Sequence, residues 1–173
     1  TGSANIPLRV AGWAPRRGLR ARVTAPDAHA GTLALAREHA GRDPDVRVEH
    51  ADALALPYAD GEFDFALCST ALHHFADDEA VRVLRELDRV ARRGVVVNDL
   101  RRSRPALLGA RLLAATVWRA HPVTRHDGPL SVRRSFTPAE LLELGRRAGM
   151  REARVHVHHP FRLALVADRA AER

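Results

Sequence analysis

Along the chain, apolar residues recur first at helical and then at strand spacing, and the two patterns alternate. Helical spacing over 5–17 gives way to a strand at 21–25, and a helix over 31–40 then sets Leu33, Ala36 and Ala40 on one face. A short strand follows at 46–50. Residues 63–68 are apolar apart from Asp64, the pattern of a strand covered on both faces. Over 78–91, Val81, Leu84, Leu87 and Val90 return at helical spacing, with Asp77 as the capping residue. Gly94 introduces a strand at 95–98. Strands separated by helices are what a parallel sheet with crossover connections requires, so the pattern places the chain in the α/β class.

The second half has a different texture. A helix is predicted over 105–118, its proline in the first turn, where the missing N–H costs nothing. Residues 119–136 hold turn formers without a clean period and read as a long loop, a lid or a wall of a substrate pocket. Thr137, Pro138 and Glu140 form a helix start with a capping box, and Gly149 stops that helix after Ala148. Strands at 153–158 and 161–167 follow, joined at His159-Pro160 and expected to be antiparallel.

Composition narrows the setting. A chain of 173 residues with 46% apolar content fits a single domain over 1–173. Cys68 is the only cysteine, so no internal disulfide forms and no thiolate metal site can be built; a reducing cytoplasm fits. No apolar run nears the roughly 20 residues of a membrane span, and no membrane partner is expected. The net charge of +7 invites a nucleic-acid reading. Against it, all 28 basic residues are arginine and are scattered in pairs over every segment, as on solvated helix faces, and 5% aromatics leaves little for base stacking. No nucleic-acid partner is expected.

Four segments carry more specific information. They are the opening "TGSANIPLRVA", then "RARVTAPDAHAGTLALAREHA", then "DVRVEHADALALPYADGEFDFALCSTALHHF", and finally Arg85, Glu86 and the run to "RVARRGVVVNDL". In order and spacing they resemble class I S-adenosylmethionine-dependent methyltransferases, and the resemblance runs from Thr1 to about Val166. It implies a Rossmann-like, doubly wound, mostly parallel sheet with an antiparallel C-terminal strand, and S-adenosylmethionine as cofactor. Gly2, beside Thr1, would end the glycine loop that meets the cofactor. Asp27, with Ala28 after it, would take the ribose hydroxyls, and a carboxylate suits because it accepts both. Asp52 would take the adenine amino group with Ala53 packed by the ring, and Ser69 would lie at the end of the strand over the methyl-donor pocket. "LRRSRPALLGARLL" and "RHDGPLSVRRSFTPAELLELGRRAGM" are similar to the ubiquinone and menaquinone type, whose members methylate small molecules.

The family's first strand, with its acidic residue and the first loop glycines, has no counterpart in this sequence and would precede Thr1. That strand lies at the centre of the sheet. At about 25 cal/mol per Å², its loss would outweigh the net stability of most domains, so the resemblance implies a longer reading frame and weak cofactor binding without it.

Methyl transfer needs alignment of donor and acceptor, and a base only where the acceptor is a hydroxyl or an acidic carbon. The candidates are His73 and His74, which follow the 63–68 strand, and His126 beside Asp127. A zinc site from His73, His74, His156, His158 and His159 is opposed by their alternating strand positions and scattered origin, so no metal is expected. Cys68, ending an apolar strand, reads as a small buried hydrophobe. The expected acceptor is an aromatic, quinone-like or polyketide compound, and the expected state a monomer or homodimer. Two other readings stay open: a nicotinamide-dependent oxidoreductase of related topology, and a non-catalytic relative. The first lacks a complete G-x-G-x-x-G turn.

Overall fold

A computed structural model of the chain describes residues 1–41, 43–150 and 152–169. Two compact units divide it at Pro57 and Tyr58.

The first unit opens with α1 (Asn5–Trp13), followed by a single 3-10 turn at Pro15–Arg17, because Pro15 cannot continue the helical ladder. β1 (Val23–Asp27) lies two residues later than its predicted position. α2 (Ala30–Ala40) buries Leu33, Ala36 and Ala40, the face read from the sequence, and β2 (Val46–His50) matches its expected span. β1 and β2 pair in parallel, Val23 opposite Val46 through Asp27 opposite His50. Ala11, Ala40 and Val46 form a small core with Leu8 and Val48 against it, so much of this unit's burial comes from alanine methyl groups.

The second unit is built on a four-stranded sheet ordered β3-β4-β6-β5, from β3 (Phe63–Ser69), β4 (Ala91–Leu100), β5 (Arg154–His158) and β6 (Arg162–Asp168). β3 and β4 are parallel; β6 runs antiparallel to both β4 and β5, as expected of the C-terminal hairpin. α3 (Asp77–Val90) links β3 to β4 and buries Val81, Leu84 and Val90. Its N-cap is Ala76 and Asp77 is the first helical residue; the reach-back to the Ala76 N–H comes from Glu79, so the expected Asp77 cap is corrected. The acid at Asp77 still suits the positive end of the helix. β4 is longer than predicted and includes Gly94, where a β-carbon would lie 3.0 Å from the Ala167 carbonyl oxygen across the ladder.

Two further expectations are corrected. β3 is not covered on both faces: Phe65 is 57% and Leu67 49% exposed, on the face bearing alternate residues, and the Arg93 guanidinium lies 5.3 Å over the Phe65 ring. Residues 119–136 are not a loop. After α4 (Arg104–Ala115) and a 3-10 turn at Val117–Ala120, a helix α5 runs over Pro122–Arg134. The sequence hides it behind Gly128 and Pro129, yet packing favours it: Ala106, Ala110 and Val132 form a buried cluster with Leu107 and Trp118. A β-carbon at Gly128 would meet the Trp118 ring at 2.5 Å, so glycine there makes room for the indole. α6 (Pro138–Arg147) starts with the predicted box: Thr137 Oγ1 accepts the Glu140 N–H and Glu140 Oε2 accepts the Thr137 N–H.

Candidate functional site

In the first unit the candidate residues gather at the carboxyl ends of β1 and β2. Gly2 has φ +58°, a conformation glycine adopts without strain, and no atom lies within 4 Å of where its β-carbon would be, so the backbone there is open to approach. Asp27 ends β1. Its Oδ2 accepts from the Thr1 amine at 2.7 Å and its Oδ1 from the His29 N–H at 2.9 Å. Burial works to raise this carboxyl, and the hydrogen bond from the His29 N–H works to lower it. Ala28 is exposed beside it, and His29 caps α2, its Nδ1 accepting the Thr32 N–H.

Asp52 leaves β2 two residues beyond His50, the ladder partner of Asp27. The Ala51 N–H continues the ladder to the Asp27 carbonyl at 3.2 Å. Asp52 Oδ1 accepts the Leu54 N–H at 2.9 Å, which closes a local turn, and Oδ2 has no partner among the described residues. Asp52 is exposed and Ala53 half-buried. The acceptor set suits a nucleoside: each Asp27 oxygen keeps a second lone pair beside its N–H partner, and Asp52 Oδ2 lies on the neighbouring strand end with no partner among the described residues.

In the second unit Ser69 ends β3, and its Oγ accepts the Asn98 Nδ2–H at 3.1 Å. Thr70 follows at φ +55°, held by its N–H to the Asn98 carbonyl (2.8 Å) and by Arg162, which donates to Thr70 Oγ1. This bend leads into the turn Leu72–His74. His73 is 3% exposed. Its Nδ1 lies 2.6 Å from Oδ1 of Asp99, a wholly buried carboxylate, and its backbone N–H donates to Asp99 Oδ2 at 3.2 Å. His74 is exposed, its ring centroid 4.2 Å from that of His73. Burial, and next the neighbouring His73, hold the His74 imidazole below its ordinary value.

His126 lies exposed on α5 and makes no hydrogen bond with the histidine pair. α5 itself packs against the Leu72–His74 turn. Asp99 was not among the residues singled out in the sequence. It lies in β4 one residue before the strand ends, and only the fold shows that it faces a histidine 26 positions away. Burial pushes the Cys68 thiol up to about 12, so it is no nucleophile near neutral pH. Among the described residues no group of three or more His, Cys, Asp or Glu is placed to hold a metal ion, and no helix is long and apolar enough to cross a membrane. A surface depression of about 520 Å³, lined by Asp60, Arg85, Asp88, Arg89 and Arg169, lies toward the start of β3, away from the histidines; Arg89 pairs with Asp60 there and Arg169 with Asp88.

Over 91 residues the chain is 40% identical to the demethylmenaquinone methyltransferase of Thermus thermophilus, an alignment that covers 52% of this chain and 39% of that relative. A SAM-dependent methyltransferase of Methanosarcina mazei superposes with a TM-score of 0.67 at 19% identity, over 99% of this chain and 90% of that one. A SAM-dependent methyltransferase from Aquifex aeolicus does so with a TM-score of 0.65 at 17% identity, over 95% of this chain and 78% of that one. Both likenesses are of fold. Residues 7–97, a little over half the chain, match the family described as methyltransferase domain, and the chain belongs to that family.

Proposed function

We propose that this chain carries the catalytic domain of an enzyme that transfers a methyl group from S-adenosylmethionine to a small molecule. The carrying observation is the parallel ladder that sets Asp27 opposite His50 and brings Asp52 out of the adjacent strand at the same edge. Ligands of open α/β sheets bind outside the carboxyl ends of the strands, and two acceptor carboxylates there suit the donor groups of an adenosine. On this reading Asp27 and Ala28 meet the ribose, Asp52 and Ala53 the adenine, and Thr1 and Gly2 the amino-acid end. Ser69 belongs to the methyl-donor side. Bound to these residues, S-adenosylmethionine supplies a methyl group on a positively charged sulfur.

The acceptor chemistry falls to the second unit. A hydroxyl or acidic carbon becomes a better nucleophile as it loses its proton, and His73, His74 and His126 are the bases considered. His74, exposed and held neutral near pH 7, meets the requirement best. α5 packs on the histidine turn, which supports 119–136 as a wall of the acceptor pocket. The acceptor class is aromatic, quinone-like or polyketide, and the name of the Thermus thermophilus relative favours the quinone-like member. The lone Cys68 fits a cytoplasmic protein, as a monomer or homodimer, working on a small molecule and on neither nucleic acid nor membrane.

Calorimetric titration of the full-length protein with S-adenosylhomocysteine tests the reading, and saturable binding is expected. Nicotinamide dinucleotide binding in its place would overturn it. Mass spectrometry of reactions with a panel of quinols, phenols and polyketides then identifies the acceptor.

A further inference from the structure

We infer that Asp99 is a positioning residue for the histidine pair: it fixes the tautomer and ring orientation of His73, and through the contact between the two rings it presents His74 as the base. The inference rests on the methyltransferase reading only for the word base; the positioning part stands on the geometry of the second unit alone.

Asp99 is wholly buried and accepts three donors. Oδ1 takes the Leu100 N–H at 2.7 Å and faces His73 Nδ1 at 2.6 Å, and Oδ2 takes the His73 backbone N–H at 3.2 Å. A carboxylate in that position accepts, so Nδ1 of His73 carries the proton and the ring is locked at both ends of the residue. A buried carboxylate is costly unless its oxygens are filled, and these are. Side-chain polar atoms that are buried without a partner are absent among the described residues.

His73 is too enclosed to meet a substrate, whereas His74 is exposed and lies against it, ring centroids 4.2 Å apart with planes 36° from parallel. Fixing one ring fixes the face on which the other rests. The titratable and charged groups around His74 are His73 from its own turn, Asp99 from β4, and Arg134 and Asp127 from α5. In the transfer itself the acceptor O–H or C–H gives its proton to the His74 lone pair. S-adenosylmethionine, where bound, would supply the methyl carbon to the freed acceptor electron pair and would keep the old carbon–sulfur pair as a neutral thioether. The proton leaves His74 to water.

The test compares Asp99→Asn, Asp99→Ala and His74→Gln with the wild type in the full-length protein. Nitrogen-15 imidazole NMR reads tautomers and titration midpoints, and the pH dependence of kcat reads the base. Asparagine can donate where aspartate accepts, so D99N is expected to move His73 toward the Nε2-protonated tautomer, shift the His74 midpoint, and lower kcat about 10- to 100-fold while KM changes little. H74Q is expected to remove the acid limb of the profile. If folded D99N keeps the His73 tautomer and His74 midpoint of the wild type, the positioning role is wrong; if H74Q keeps kcat and its pH limb, the base assignment is wrong. D99N retains the shape of the side chain, so the comparison holds even where D99A unfolds. Failure of the methyltransferase reading shows separately, as absence of S-adenosylhomocysteine binding by the wild type, while the imidazole spectra still decide the role of Asp99.

Discussion

Asp27 stands opposite His50 in the parallel ladder of β1 and β2, and Asp52 follows its strand end two residues later. Adjacent strands lie about 4.8 Å apart, so the two acids rise from neighbouring strand ends at one edge. Hydrogen bonds to charged groups contribute about 1.5–3 kcal/mol, so Asp27→Ala should weaken S-adenosylhomocysteine binding roughly 10- to 100-fold by calorimetry. Asp52→Asn should cost less, because an amide oxygen still accepts from an adenine amino group. Equal affinity in D27A and wild type would remove Asp27 from the site.

His74 makes a prediction about stability against pH. Its folded value is depressed, so on acidification the unfolded chain binds the proton first. The contribution of this group is therefore complete above its ordinary value of 6.5, declines as pH falls from there to the folded value, and is constant below both. Urea midpoints between pH 7.5 and 5 should fall more steeply for wild type than for His74→Gln. Parallel curves would show that the imidazole is not perturbed.

The space at Gly128 belongs to the Trp118 indole, which a β-carbon would approach to 2.5 Å. Gly128→Ala should displace the ring and destabilise the α4–α5 pair by about 1–3 kcal/mol, despite alanine's better helix propensity. The readout is a shift in tryptophan emission together with a lower thermal midpoint. An unchanged spectrum with a raised midpoint would mean that the ring relaxes freely.

Cys68, with its thiol pushed up to about 12, should resist alkylation at pH 8 in the native protein and react once guanidinium unfolds it. At four pH units below that value only about one thiol in ten thousand is ionised. Rapid modification of the folded protein would place the sulfur in a wetter setting than the structure gives it.

The capping box at the start of α6 offers a separate check on local structure. Thr137→Ala leaves the Glu140 N–H without its side-chain acceptor and should cost about 1 kcal/mol, read as a lower urea midpoint with an unchanged slope.

The sequence by itself determined what depends on neighbours along the chain. Helical spacing marked Leu33, Ala36 and Ala40 as a buried face, the β2 span was legible from its alternation, and Thr137 with Glu140 announced the start of α6. That Asp27 and Asp52 fall at strand ends was legible too, and their roles are what the resemblance implies. Tertiary structure decided the rest. α5 forms across Gly128 and Pro129 because Val132 and Trp118 find partners on α4, contacts that no local period encodes. The exposure of Phe65 and Leu67 depends on what covers a sheet face, and their apolar character alone does not tell. Above all, Asp99 meets His73 across 26 positions because parallel pairing brings the ends of β3 and β4 together. Burial then obliges the carboxylate to find donors, and that necessity arises only when the chain has folded.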